Sequence, residues 1–157
     1  VWLLLKNIAF TILVPGTVAV FVPVFVIEHD AAALSFASVA AFALLATGGA
    51  IYAWCVWDFA VTGRGTPAPI DPPRTLVVRG LYRYSRNPMY VGVLSVIAGW
   101  ATLFQSTSIA VYGGCVAAGF HLFVLAYEEP HLRQAFGAGY AQYCSQVSRW
   151  LWVPRRK

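Results

Sequence analysis

Charge is scarce in this sequence. Only 11% of its 157 residues are Asp, Glu, Lys or Arg, against roughly 25% in an ordinary soluble domain. A soluble chain of this size must cover its surface with polar groups, and these are not there. With 59% hydrophobic residues and a mean hydropathy of +0.66, the composition excludes an ordinary soluble enzyme and points to a polytopic membrane protein. Cysteine is sparse too. Cys55, Cys115 and Cys144 are far apart and form no Cys-x-x-Cys pair, so they read as small apolar packing residues. No zinc-protease motif, P-loop or nucleophile elbow occurs, and Gly63-Arg64-Gly65 lacks the rest of a dinucleotide fingerprint. No metal is expected. Nor does any acidic residue sit in the middle of an apolar run, as a transporter or channel would require.

What is present is a pattern of apolar runs with cations beside them. Four membrane-spanning helices are expected, over about residues 8–27, 34–61, 88–104 and 109–127. The first run exceeds the ~7–15 residues of a signal-peptide core, so it is read as an uncleaved helix. Pro15 and Pro23 lie inside it and should kink it. Residues 62–87 form a linker that begins with a cluster of Gly and Pro. Ser95 with Gly99, Gly114 with Ala118, and Cys115 with Gly119 stand four apart. These small faces predict that the third and fourth spans pack as a tight antiparallel hairpin. The segment 128–157 is not a span. Glu128-Glu129-Pro130 should end or bend the fourth helix, and Gly137 and Gly139 should break the segment after it. Tyr140, Tyr143, Cys144 and Val147 then fall on one stripe of an amphipathic helix. Arg149-Trp150-Leu151-Trp152 and the final Arg155-Arg156-Lys157 read as an interfacial anchor. The fold class is therefore all-α, a single integral membrane domain over 1–157.

Net charge is +5, and ten of the eleven Lys and Arg lie in the linker or the tail. Lys6 precedes the first span. The opposite loops carry Glu28 and Asp30 and no cation. Nucleic acid is the other common partner of a basic chain, but these cations flank apolar spans, so no nucleic acid is expected. The bias predicts both termini, linker and tail in the cytoplasm.

Almost every polar residue capable of chemistry falls on that face. Residues 79–92 supply Tyr82, Arg83, Tyr84, Arg86, Asn87 and Tyr90, and the end of the fourth span supplies Glu128 and Glu129. If the last two spans pair, Arg86 and Asn87 should face the two glutamates, with Tyr140 and Tyr143 folding over them. Carboxylates for an ammonium, Arg or helix N–H groups for a carboxylate, and aromatic faces for a heterocycle or sulfonium suit a zwitterionic nucleoside amino acid. Plainer readings stand beside this one. Arg83 and Arg86 can anchor headgroups, the tyrosines can form an interfacial belt, and Glu128 and Glu129 can simply pair with arginines. Asp58 can pair with a loop Arg, and His121, inside the fourth span, can serve as a hydrogen-bonded packing residue.

The stretch Leu81-Tyr82-Arg83-Tyr84-Ser85-Arg86-Asn87-Pro88-Met89-Tyr90-Val91-Gly92 resembles the Arg-His/Asn-Pro-x-Tyr-x-Gly motif of isoprenylcysteine carboxyl methyltransferases and their phospholipid methyltransferase relatives. The block from Glu128-Glu129-Pro130 through Tyr140 and Tyr143 to Arg149-Trp150 is similar to the family's C-terminal block. The resemblance covers about half the chain and implies an integral membrane enzyme that uses S-adenosylmethionine on its cytoplasmic side. Position by position it implies cofactor contacts from Tyr82, Asn87, Pro88, Tyr90, Gly92, Glu129, Tyr140 and Tyr143. Arg86, Glu128 and Glu129 are the catalytic candidates. The expected partners are membrane lipids and a lipid-like acceptor, either an isoprenylcysteine carboxylate or a phospholipid amine. Asn87 stands where eukaryotic prenylcysteine enzymes carry His. The expected setting is the inner (plasma) membrane of a bacterium or archaeon. A non-catalytic membrane scaffold is the alternative.

Overall fold

A computed structural model describes residues 9–26, 36–63 and 75–150. The expected acidic turn at Glu28, most of the Pro-rich linker and the terminal cations lie outside the described residues. Among those described, every regular element is helical. We label α1 (Ala9–Val26), α2 (Phe36–Asp58), α3 (Pro88–Leu103), α4 (Thr107–Phe123) and α5 (Glu129–Gln146). A 3-10 turn, Gly80–Arg83, lies between α2 and α3.

Among the described residues, three apolar helices are long enough to cross a membrane: Ala9–Val26, Ser38–Val61 and the continuous run Thr107–Gln146. Helix α3 is apolar but has 16 residues, about 24 Å of rise against a ~30 Å hydrocarbon layer. Large apolar side chains face outward, among them Leu13, Phe25 and Val39, while Asp58, Asn87 and Glu129 are buried. This is the reverse of a soluble protein's distribution, and it suits lipid as the surrounding solvent.

Helix α1 is locally π-helical over Ile12–Phe21, around Pro15. In that register the carbonyl of Val18 would take its hydrogen bond from residue 23, which is a proline and has no N–H. The Tyr112 hydroxyl donates to Val18 O instead, at 2.9 Å, tying α1 to α4. Tyr52 ties α1 to α2 through Thr11 Oγ1, at 3.0 Å.

The closest helix contact corrects the expectation of small faces. A Cβ added at Gly48 of α2 would lie 2.7 Å from Gly92 O of α3, and one at Gly99 would lie 3.1 Å from Ala41 O. The glycine face of α3 therefore serves α2. On α4, Gly114 and Gly119 have nothing within 4 Å, and Cys115 is exposed. Helix α4 meets α3 through bulk instead: Ile97 lies against Gly113, and Ile97 and Ile109 share a buried cluster with Val93 and Ala19. Ser106 begins α4 by accepting from Ile109 N–H, at 3.3 Å, a normal N-cap.

The fourth helix also departs from its expected end near residue 127. It continues through a π turn at Val124–Glu128 into α5. Pro130 sits in the first turn of α5, where a missing N–H is tolerated, so the helix runs on rather than stopping. The break comes at Gly137, with φ of 50° and ψ of −123°. Gly139 stays helical.

Gly48→Ala is expected to lower the melting temperature in detergent, at an overpacking cost of about 1–3 kcal/mol. Gly114→Ala should leave it unchanged or slightly higher. Equal effects in a thermal-shift assay would contradict the α2–α3 contact.

Candidate active site

The motif loop is fixed at its start by Asp58, the last residue of α2. Its side chain is 1% exposed and lies 3.1 Å from Arg79 Nε. Neither carboxylate oxygen has an aligned hydrogen bond, so the contact is an ion pair held by charge. The pairing expected of Asp58 with a loop arginine is thus met by Arg79. Gly80 follows with φ of +55°, and a Cβ there would run into the Asp58 carboxylate and come 2.9 Å from Trp54 Nε1. Only glycine turns the chain tightly here.

The 3-10 turn beyond it buries Tyr82, whose ring meets Phe59 edge-on at 5.5 Å. Burial raises the Tyr82 phenol well above its usual range, so it stays neutral. Its carbonyl accepts a hydrogen bond from the Tyr143 hydroxyl at 2.7 Å. This is the first of several ties between segments some sixty residues apart. Arg86 N–H donates to Ser148 O at 2.9 Å. Ser85 Oγ and Asn87 Nδ2 both donate to Arg149 O, at 3.3 and 3.0 Å. The tail Val147–Trp150 is therefore strapped onto the motif.

Charge converges on Glu129. Arg149 grips it with two bonds, Nε to Oε1 at 2.7 Å and Nη2 to Oε2 at 3.2 Å. Arg86 Nη1 lies 3.0 Å from Oε1, and Arg133 stands off at 3.8 Å. The hydrogen bond to Glu129 raises the Arg149 guanidinium above its usual value, with burial opposing. Arg86 Nη1 also donates to Cys144 Sγ at 2.8 Å, while its Nε is buried without a partner. Glu128 is placed differently. It accepts from the Tyr90 hydroxyl at 2.9 Å, and no cation pairs with it among the described residues.

These groups surround one cavity of about 620 Å³, within the usual range of ligand pockets. Tyr82, Arg86, Asn87, Tyr90, Glu128, Glu129, Tyr140 and Tyr143 all line it. Pro88 and Gly92 do not. Pro88 opens α3 on the other side of the loop, and Gly92 is used up against the α2 backbone. The stripe of Tyr140, Tyr143 and Val147 forms a buried cluster with Leu76, Leu132 and Cys144 beside it. The lining also includes apolar side chains, among them Phe10, Val14 and Val18 of α1 and Phe120, Phe123 and Val124 around the π turn.

A family model described as phospholipid methyltransferase matches residues 36–139. The chain belongs to the phospholipid methyltransferase family. The matched region takes in the whole motif loop and both glutamates, and stops just before Tyr140. No curated protein matches the chain, and no solved structure does.

Three contributors to this methyltransferase-family site escaped the sequence reading. Arg149 read as an interfacial anchor, and it is the strongest partner of Glu129. The first helix looked generic, yet it supplies one wall. His131, one turn into α5, also lines the cavity. Flanking tryptophans give an anchor and a site arginine the same local signature, and an apolar wall leaves no polar signal at all.

Removing Glu129 would leave Arg86 and Arg149 crowded together without their carboxylate. Glu129→Ala should cost about 3 kcal/mol, as when one partner of a buried pair is removed. Glu128→Ala should cost clearly less. Thermal unfolding in detergent checks the order, and the reverse order would remove Glu129 from its central place.

Proposed function

We propose that this member of the family is an integral membrane methyltransferase that uses S-adenosylmethionine and methylates a lipid-like acceptor. On this reading all four of α1, α2, α3 and the α4–α5 run enter the bilayer, with α3 and α4 as a hairpin. Both termini and the cavity lie on the cytoplasmic side, where the linker and tail cations sit. The observation that carries the reading is the cavity itself, lined by charged and aromatic groups together with apolar side chains of α1 and the π turn.

The residues present fit the cofactor. Arg86 Nε is a buried donor without a partner, which a ligand carboxylate would satisfy. Tyr82, Tyr140 and Tyr143 offer faces to a heterocycle or a sulfonium. When bound, S-adenosylmethionine supplies a methyl group already activated on sulfur. The chain then has to orient the acceptor, exclude water and manage one proton. The apolar wall formed by α1 and the π turn would seat an acyl or prenyl tail arriving from the bilayer.

The two glutamates divide the work. Glu129 is saturated by arginines and holds the site together. Among the described residues Glu128 has a neutral partner only, so it is the carboxylate left to meet a cation. An ammonium acceptor would find a counter-ion there and lose its proton to the free Glu128 oxygen, with Tyr90 steadying the other. A carboxylate acceptor would meet like charge. This favours a phospholipid amine over an isoprenylcysteine carboxylate.

Purified protein in lipid nanodiscs should bind S-adenosylhomocysteine saturably by calorimetry. Glu128→Gln should keep that affinity within about threefold while turnover of an amine lipid falls at least 100-fold, the low end of general-base contributions. Absence of any saturable binding would favour a scaffold. Turnover of a prenylcysteine but not of amine lipids would reverse the choice of acceptor.

A further inference from the structure

His121 sits in the apolar part of α4 with its side chain exposed. An imidazole on the outer face of such a helix is costly unless it has a partner. Trp150 Nε1 donates to His121 Nδ1 at 3.1 Å, with the two rings 5.9 Å apart. This bond joins two residues that the cavity does not use: neither lines it.

Trp150 ends the strap Val147–Trp150. Further ties of the strap lie at the site. Arg86 N–H holds Ser148 O, Ser85 and Asn87 hold Arg149 O, and the Arg149 side chain grips Glu129. The indole also faces Tyr90, with ring centroids 6.4 Å apart. Tyr90 in turn packs on Phe120 at 4.5 Å and donates to Glu128. Both glutamates are thus reached from Trp150, one through its neighbour Arg149 and the other through Tyr90. A long guanidinium loses several rotors when it is held bidentate, and that cost falls when the backbone carrying it is already fixed.

We propose that His121 is a positioning residue. By holding the Trp150 indole from the lipid-facing side of α4, it latches the C-terminal strap and so keeps Arg149 on Glu129 and Tyr90 under Glu128. The consequence for ligand affinity rests on the methyltransferase reading; the latching of the strap does not.

The test is a double-mutant cycle on the full chain in lipid nanodiscs. Trp150→Phe keeps one aromatic ring and removes the N–H together with the fused five-membered ring. His121→Ala removes the acceptor. His121→Asn places an amide oxygen where Nδ1 was. Two quantities are read: amide hydrogen exchange over 147–150 in the ligand-free protein, and the calorimetric Kd for S-adenosylhomocysteine. Each single variant should speed exchange and raise Kd by about 3- to 10-fold, the scale of one hydrogen bond. The double variant should do no more than Trp150→Phe alone. His121→Asn should recover most of the loss, and the overall melting temperature should move little.

Additive effects, unchanged exchange in both single variants, or no recovery with Asn would each overturn the latch. Should Trp150→Phe alone remain folded, exchange over 147–150 in that variant decides. If the wild-type chain does not bind S-adenosylhomocysteine, the methyltransferase reading fails, and the exchange arm still decides the latch.

Discussion

Three guanidiniums meeting one carboxylate hold this site in place. Glu129 is buried, and Arg86 and Arg149 reach it from segments on either side of α5. Charge that has left water needs full compensation. That requirement fixes where the motif loop, the end of α4 and the tail must stand relative to one another. The bonds to the tail carbonyls, from Arg86 N–H, Ser85 Oγ and Asn87 Nδ2, stand beside these ion pairs. The cavity is the space these elements leave between them.

The helices around this node follow from lipid rather than from water. Apolar side chains point outward, so burial alone supplies little drive to join one helix to another, and close backbone approach does the work instead. Gly48 and Gly92 allow α2 and α3 to touch main chain to main chain. Hydroxyls of Tyr52 and Tyr112 settle polar groups on α1. Because α2 is locked to α3, the Asp58–Arg79 pair at the end of α2 sets where the motif loop begins. Helix packing and site geometry are thus linked through Gly80.

Much of this was legible in the sequence, and the misses have physical causes. The stretch from Tyr82 to Tyr90 stood out because cations and aromatics are crowded there in a chain otherwise poor in charge. The stripe of Tyr140, Tyr143 and Val147 was readable from its period, and the meeting of Arg86 with Glu129 from the expected pairing of the last two spans. A glycine face announces a close contact but not its partner: Gly99 belonged to α2 when it could as well have served α4. Pro130 looked like a stop or a bend because proline removes an N–H. Preceded by a π turn, it sits where that loss does no harm. Gly92 carried the family motif, yet its place against Gly48 gives it a packing duty. The match to the phospholipid methyltransferase family spans both the motif loop and the paired glutamates. The apolar half of the cavity left no trace in any motif, since Val14 and Val18 resemble every other lipid-facing residue.

The most direct measurement is an experimental structure of the full chain in a lipid nanodisc with S-adenosylhomocysteine. The account predicts the ligand between Asn87 and Glu129, with Arg86 against its carboxylate and a tyrosine face on its ring system. A ligand bound away from this cavity, or Arg86 and Glu129 found at opposite faces of the bilayer, would contradict it.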